Sequence, residues 1–176
     1  MNKGRTHVYI GDGKGKTTSA AGLALRCASY GLTVHAYLFM PETPGGEWDS
    51  LARLGRVTVH RAQATVGKHI NEMMPSERES FVISQQDLFD EACEQAQNPL
   101  CDMVVLDGVL DLVAAGAIAA GEVAYLSTRR YKGCELVITG KHAPSEIRQN
   151  ADYITEMRKI KHPADAGEYP RRGIEY

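Results

Sequence analysis

Glycine and lysine crowd the segment Gly11-Asp-Gly-Lys-Gly-Lys-Thr-Thr18, and both suit the binding of an anion. The glycines can adopt positive φ angles, which turn backbone N–H groups inward. Those amides, together with the positive end of a following helix dipole, form a cradle for phosphate. Lys16 adds a point charge for phosphate oxygens, and the Thr17 hydroxyl is placed to bind Mg²⁺. The spacing therefore predicts a phosphate site with a magnesium ligand beside it.

Two elements must hold such a loop in place, a strand before it and a helix after it. Apolar residues predict a strand over His7–Gly11, and an alanine-leucine run predicts a helix over Thr17–Tyr30. The strict pattern G-x-x-x-x-G-K-[ST] requires a glycine at position 10, where this chain has Ile10. A glycine-rich turn with surface lysines is the alternative. The flanking strand and helix favour phosphate binding.

A nucleoside triphosphate site also needs an acidic metal partner, and Asp107 is the candidate. It ends the apolar run Cys101-Asp-Met-Val-Val-Leu-Asp107, which is the Walker-B arrangement. The carboxyl ends of parallel strands lie at one edge of a sheet, so we expect Asp107 beside the loop. There it can hold Mg²⁺ directly or through water, and Thr17 and Asp107 are the predicted metal ligands. The alternative, Asp107 as a helix cap, is less favoured because a phosphate loop is present.

Strand and helix patterns alternate along the chain, which indicates an α/β protein. We expect a P-loop NTPase-like three-layer sandwich with a mostly parallel central sheet of five or six strands. Further strands are predicted over Val34–Met40, Val57–Arg61, Met103–Asp107, Leu136–Thr139 and Tyr153–Ile160. Further helices are predicted over Glu47–Leu54, Ser76–Gln97, Val109–Leu126 and Pro144–Asn150. Ser76 and Glu79 have the spacing of a capping box.

Turn residues and aperiodic stretches predict two active-site loops, at Pro41–Gly46 and Ala62–Pro75. The tail Lys161–Tyr176 is too irregular to be a core element. The simplest organisation for 176 residues is one nucleotide-binding domain over residues 1–176.

Composition narrows the class of protein. A net charge of −2 argues against bulk binding to nucleic acid or to an anionic membrane. The polar N-terminal residues do not form a signal peptide, and no apolar run reaches the ~18 residues of a membrane span. The four cysteines contain no CxxC pair, so buried thiols in a reducing cytoplasm are expected. We therefore expect a cytoplasmic protein.

The start GDGKGKTTSAAGLALR and the end ADYITEMRKIKHPADAGEYPRRGIEY together resemble the ATP:corrinoid adenosyltransferases. That family pairs a GNGKGKTT or GDGKGKTT loop with a terminal sequence like VTEMR-x-x-KHP followed by GIEY. The resemblance implies that Co(I) of a reduced corrinoid attacks the 5′ carbon of ATP and that triphosphate leaves. It implies ATP held in reverse in the loop, with Mg²⁺ or Mn²⁺. The corrinoid substrate would be cobalamin or a cobalamin precursor.

The same resemblance assigns roles to individual residues. Lys16, Thr17 and Arg26 would act on the phosphates in catalysis. The nucleotide would contact Gly11, Asp12, Gly13, Lys14, Gly15, Lys16, Thr17, Thr18, Glu156, Lys161 and His162. Each of three residues also has an alternative without a nucleotide contact. Arg26 could be an exposed helix arginine, Asp12 could belong to a solvated turn, and His162 could have a structural role. Arg171 and Arg172 would meet phosphate or corrin carboxamides, or belong to a solvated tail.

Three departures from the family pattern concern metal and corrinoid binding. The family has Leu-Asp-Glu at the end of the Walker-B strand, where this chain has Gly108, and Asp111 could substitute by reaching back one helical turn. The segment 64–71 lacks the aromatic residues that pack on the corrin, and its His69 is either a cobalt ligand or a surface histidine. The pattern QF-x-KG is replaced by Leu38-Phe-Met-Pro-Glu42. We therefore expect ATP binding to be retained and corrinoid adenosylation to be weaker or altered.

Two other functions compete with the transferase. A non-catalytic ATP- and corrinoid-binding paralogue would bind both ligands without turnover, and a P-loop NTPase or kinase would release ADP or AMP. The resemblance also implies a homodimer and a flavoprotein reductase as partners, with no nucleic acid and no membrane.

Overall fold

The computed structural model describes residues 3–39, 46–62 and 70–174. Within these ranges six strands form one sheet in which every pair of neighbours is parallel. The strands are β1 (Thr6–Ile10), β2 (Val34–Leu38), β3 (Val57–Arg61), β4 (Met103–Asp107), β5 (Glu135–Thr139) and β6 (Tyr153–Glu156). Their order is β3-β2-β4-β5-β1-β6, so β5 separates the strand before the phosphate loop from the strand that ends in Asp107.

Helices connect the strands and cover both faces of the sheet. They are α1 (Lys16–Ser29), α2 (Gly46–Ala52), α3 (Pro75–Gln97), α4 (Val109–Ala114), α5 (Ala120–Arg129) and α6 (Ser145–Gln149). Two short 3-10 turns lie at Ile70–Glu72 and Pro163–Ala166. The predicted α/β sandwich around a parallel sheet is confirmed.

Strand β4 shows why the sheet needs two covering layers. All five of its residues are buried. Successive side chains of a strand point to opposite faces of the sheet, so both faces must be covered to bury them all. Met103 and Val105 belong to the apolar cluster that contains α1 and α2. Val104 and Leu106 belong to the larger cluster that contains α3, α4 and α5. A strand buried on both faces has a continuous apolar sequence, which is the pattern that predicted β4.

The predicted helix Val109–Leu126 is wrong, because the structure has two helices there. Gly116 has φ 71° and closes α4 in the left-handed conformation, which suits glycine. The next helix begins after Ala119, whose N–H donates to Glu122 Oε2 at 3.1 Å. An alanine-rich sequence hides such a break, because alanine favours a helix on both sides of the glycine.

The predicted capping box at Ser76 and Glu79 is also wrong. The helix begins at Pro75, and the Met74 N–H donates to Glu77 Oε2 at 2.9 Å. Proline is favoured at the first helical position because its φ is already helical and it lacks an N–H. The start therefore lies upstream of the predicted cap.

Strand β6 is shorter than the predicted Tyr153–Ile160. The Met157 N–H still donates to Ile10 O at 2.8 Å, but after this bond the chain leaves the sheet. It crosses the phosphate loop instead, which brings the C-terminal part of the chain to the site.

Some predicted features lie outside the described residues. These are residues 41–45 of the first predicted active-site loop, residues 63–69 of the second, with His69, and the last two residues of the tail. Among the described helices, none combines the length and apolar character that a bilayer crossing requires.

Candidate functional site

The phosphate loop, residues 11–17, follows β1 and runs into the first turn of α1, so a strand precedes it and a helix follows as predicted. Gly11 has φ 115° and Gly15 has φ 114°, so the chain turns sharply at both ends of the loop. Gly15 is the N-cap of α1, and no side chain caps the helix at this position. The positive end of the α1 dipole therefore faces the loop, which favours an anion there.

Two of the loop amides hold the loop in place. The Gly11 N–H donates to Lys141 O at 2.9 Å, and the Gly13 N–H donates to Met157 O at 2.7 Å. A Cβ on Gly11 would overlap the same Met157 oxygen. Neighbouring backbone thus requires glycine at both positions, and these two N–H groups bond to protein rather than face an open phosphate cradle.

Lys16 folds back over the loop. Its Nζ donates to Gly13 O at 2.8 Å, which places the ammonium above the turn. Burial lowers the pKa of Lys16, and the charge of Asp111 opposes that shift. The side chain is half-buried, so a bound phosphate would meet a partly desolvated cation.

Thr17 brings the loop into contact with the strand that carries the predicted acid. Its hydroxyl donates to Asp107 Oδ1 at 3.1 Å, across one intervening strand. A hydroxyl and a carboxylate are hard oxygen donors, and Mg²⁺ usually takes one or two protein ligands beside phosphates and water. The pair therefore fits Mg²⁺, and the described residues contain no group of three or more His, Cys, Asp or Glu side chains suited to a metal.

Asp107 has two further partners that the sequence did not reveal. Thr139 at the end of β5 donates to Oδ1 at 2.6 Å, and the Trp48 indole donates to Oδ2 at 3.1 Å. Burial raises the pKa of Asp107, and the hydrogen bonds from Thr139, Trp48 and Thr17 oppose the rise. Thr139 is a polar residue at the end of an apolar strand, and this is the sequence signal that could have identified it. No local signal pointed to Trp48.

Gly108 occupies the position where the family pattern has glutamate, and its backbone leaves no room for a side chain. Its φ is 85°, and a Cβ would lie 2.6 Å from Phe39 O. Its N–H donates to Thr139 Oγ1 at 2.8 Å. The local backbone therefore does not accept a β-carbon at position 108 without rearrangement, so the glutamate of the family pattern does not fit this backbone.

The C-terminal segment contacts the outer side of the loop. Lys14 Nζ donates to Ile174 O at 3.0 Å. Asp12 Oδ1 accepts the Lys159 N–H at 3.0 Å, and this bond lowers the pKa of the Asp12 carboxyl. Lys14 and Asp12, which were both predicted to contact the nucleotide, therefore hold the C-terminal segment in this structure, and the sequence did not reveal this role.

Other predicted nucleotide contacts belong to α1, to β6 and to the C-terminal tail. Glu156 pairs with Ile10 in the register of β6 and β1 and is exposed. Thr18 is exposed in the first turn of α1. Lys161 is exposed, and His162 Nδ1 accepts the Ala164 N–H at 3.1 Å, which caps the 3-10 turn. The structure thus gives His162 a capping role.

Arg26 is the predicted residue that the structure does not bring to the loop. It lies exposed in the last turn of α1, whereas the loop ends in the first turn. At a rise of 1.5 Å per residue, Arg26 is about 13 Å along the helix from Thr17.

A family model described as "ATP:corrinoid adenosyltransferase BtuR/CobO/CobP" matches residues 2–176. The chain is 32% identical to the corrinoid adenosyltransferase CobA of Salmonella typhimurium over 170 residues, which cover 96% of this chain and 84% of the relative. It is 31% identical to the corrinoid adenosyltransferase of Escherichia coli K12, with the same coverage of both chains.

Among solved structures, the fold is similar to that of the KaiC-like protein PH0186 from Pyrococcus horikoshii. The TM-score is 0.52 at 13% identity, and the match covers 91% of this chain and 75% of that one. At this identity the likeness concerns the fold alone.

Proposed function

The chain belongs to the family of ATP:corrinoid adenosyltransferases, and we propose that it transfers the 5′-deoxyadenosyl group of ATP to Co(I) of a corrinoid with release of triphosphate. The observation that carries the proposal is the contact between Thr17 Oγ1 and Asp107 Oδ1 at 3.1 Å. It unites the phosphate loop with the Walker-B strand in one site.

In this reaction the nucleophile is supplied by the substrate. A cobalt centre that attacks carbon directly needs no side-chain nucleophile, so the Thr17 hydroxyl beside Asp107 is left to hold the metal. The work left to the protein is to orient ATP and to balance the charge that develops on the leaving triphosphate. Lys16 and the amides of the loop that do not bond to Lys141 or Met157 would do this.

Mg²⁺ would be held by Thr17 and, through water, by Asp107. When bound, it neutralises phosphate charge as a Lewis acid. Thr17 donates its proton to Asp107, which leaves the hydroxyl oxygen free to accept a metal. Thr139 and Trp48 fix the Asp107 carboxylate in this orientation from its other sides.

Further parts of the proposal concern the setting of the reaction. We infer a cytoplasmic homodimer that receives its reduced corrinoid from a flavoprotein reductase, with cobalamin or a precursor as substrate. Asp12, Lys14, Glu156, Lys161 and His162 would contact the nucleotide once it enters between the loop and the C-terminal segment. The present bonds of Asp12 to Lys159 and of Lys14 to Ile174 would then change on binding.

A non-catalytic ATP- and corrinoid-binding paralogue is the second candidate. The backbone at Gly108 favours it, because the family carboxylate cannot be accommodated there. This candidate predicts tight binding of both ligands and no product.

The test is an anaerobic assay with chemically generated cob(I)alamin and Mg-ATP. We expect a light-sensitive alkylcobalamin and one triphosphate for each product, measured by absorbance and phosphorus NMR. Lys16→Ala is expected to lose at least ten-fold in ATP affinity, since it removes a charged phosphate contact worth about 1.5–3 kcal/mol. Trp48, the only tryptophan, donates to Asp107 and gives an intrinsic fluorescence signal for Mg-ATP.

Three outcomes separate the functions. Triphosphate with adenosylated product supports the transferase, and binding of both ligands without product supports the paralogue. ADP or AMP would instead indicate an NTPase or kinase. Lys132→Ala is the matched control, because Lys132 is an exposed lysine outside the site and the loss of its side chain should leave binding unchanged.

A further inference from the structure

Asp111 reaches toward the end of β5, whereas the sequence offered it as a substitute for the missing glutamate by reaching back one helical turn. Its Oδ1 accepts the Lys141 N–H at 2.9 Å. The carbonyl of the same Lys141 accepts the Gly11 N–H at 2.9 Å. One carboxylate is thus joined to the first residue of the phosphate loop through the backbone of a single residue.

The backbone around Asp111 holds it in this place. The Asp111 N–H donates to Gly108 O at 3.0 Å, which fixes the start of α4 on the Walker-B turn. A Cβ on Gly140 would lie 2.5 Å from Leu110 Cβ and 3.1 Å from Asp111 N. Glycine at position 140 therefore lets α4 pack closely against the residue before Lys141, and the hydrogen bond from Lys141 follows from that close approach.

The charge of Asp111 also acts on Lys16. Among the charged groups around the Lys16 ammonium, Asp111 raises its pKa most. Because one residue, Lys141, joins the Asp111 carboxylate to Gly11 at the start of the loop, this carboxylate also lies near the phosphates that the loop would bind. It attracts the lysine and repels the phosphates, so it weakens the hold of the loop on a polyanion.

We propose that Asp111 is a positioning residue of the ATP site, which fixes the Gly11 end of the phosphate loop through Lys141 and limits how tightly the loop retains triphosphate. The inference rests on the proposed function in taking triphosphate as the product that must leave. It assigns to Asp111 two separable effects, a hydrogen bond that asparagine can keep and a charge that asparagine lacks.

Two substitutions separate these effects. In Asp111→Asn the amide oxygen still accepts the Lys141 N–H, while the negative charge is gone. In Asp111→Ala both are lost. Asp87→Asn is the matched control, because Asp87 is an exposed carboxylate on α3.

The measurement is calorimetric binding of inorganic triphosphate without metal, with adenosine as a ligand that lacks phosphate. We expect Asp111→Asn to bind triphosphate about three-fold or more tightly than wild type, because one repulsive charge has gone. We expect Asp111→Ala to bind it about five-fold more weakly than Asp111→Asn, because a hydrogen bond worth about 1 kcal/mol has gone. Adenosine affinity and the Asp87→Asn control should not change.

Turnover gives a second readout. Asp111→Asn should be inhibited by added triphosphate at a concentration lower by the same factor, with an unchanged KM for the corrinoid. Damage to the fold would weaken binding and could not tighten it, so a tighter complex is diagnostic.

The inference is overturned if Asp111→Asn binds triphosphate no more tightly than wild type, or if the alanine and asparagine variants behave alike. A wild-type protein that binds triphosphate but yields no adenosylated corrinoid would contradict the proposed function alone. A wild-type protein that binds no triphosphate would overturn both.

Discussion

The Met157 carbonyl oxygen lies against Gly13 where a side chain on that residue would have to go. A Cβ on Gly13 would stand 2.6 Å from Met157 O, and the Gly13 N–H donates to the same oxygen at 2.7 Å. The glycine is therefore needed for the close approach of the chain that follows β6. This bond joins the N-terminal loop to the C-terminal segment, as the bonds of Lys14 and Asp12 also do.

Gly13→Ala is expected to displace the loop from the C-terminal segment and to weaken Mg-ATP binding at least ten-fold. The reason is steric, because backbone at 2.6 Å cannot give way as a flexible side chain would. Fluorescence titration of Trp48 measures the affinity. Gly22→Ala is the control, since a Cβ on Gly22 would meet no neighbouring atom within 4 Å and alanine favours the helix. Equal affinity of Gly13→Ala and wild type would contradict the steric argument.

Thr139 connects Asp107 to the Walker-B turn, since it donates to Asp107 and accepts the Gly108 N–H. Thr139→Val removes both bonds and leaves a partly buried N–H unpaired, so we expect a loss of about 1–3 kcal/mol in the free energy of unfolding. Thr139→Ser should retain most of it. Denaturant unfolding measures the change, and Thr58→Val on the exposed side of β3 is the control. A valine variant as stable as the serine variant would argue against a stabilising role for the two hydrogen bonds of Thr139.

Gln85 is a buried amide in the core without a hydrogen-bond partner among the described residues. Its side chain is 0% exposed, and neither Oε1 nor Nε2 is bonded. Gln85→Leu should raise the free energy of unfolding by about 1–3 kcal/mol, because an unsatisfied buried polar group is removed. Gln149→Leu on the exposed face of α6 should have little effect. A lower melting temperature for Gln85→Leu would show that the amide has a stabilising partner.

Two histidines on neighbouring strands share a chain of hydrogen bonds. His35 Nδ1 lies 3.1 Å from His60 Nε2, Gln95 Nε2 lies 3.1 Å from His35 Nε2, and His60 Nδ1 lies 2.7 Å from Glu91 Oε1. Two neutral rings satisfy every bond if each donates from Nδ1. Protonation of His35 would remove the acceptor for the Gln95 amide.

This chain of hydrogen bonds predicts a loss of stability in acid. Burial lowers the pKa of His35 and of His60, and the Glu91 charge opposes both shifts. Between about pH 6.5 and the lower pKa values of the folded state, the folded protein then binds fewer protons than the unfolded chain, so the free energy of unfolding falls as pH drops through this window. Denaturant unfolding at several pH values measures the slope. His60→Gln should flatten it, whereas the exposed His142→Gln should not; an unchanged slope in His60→Gln would contradict the assignment.

Local patterns predicted most of the elements, because burial and periodicity act within a few residues. Strands β3 and β4 have the predicted bounds, and the other strands and helices begin or end within a few residues of prediction, apart from the broken helix and the short β6. The phosphate loop and Asp107 were found from spacing. The break at Gly116 was missed because its neighbours favour a helix on both sides.

What the sequence alone determined is the chemistry available at the loop: glycines for a tight turn, a lysine and a threonine for phosphate and metal, and a carboxylate at a strand end. Only the tertiary structure decided which groups surround it. Strand order places β5 between β1 and β4, so Thr139 reaches Asp107, and α2 brings Trp48 to the same carboxylate. Such contacts join residues far apart in sequence, and no local pattern encodes them because they follow from how strands and helices pack.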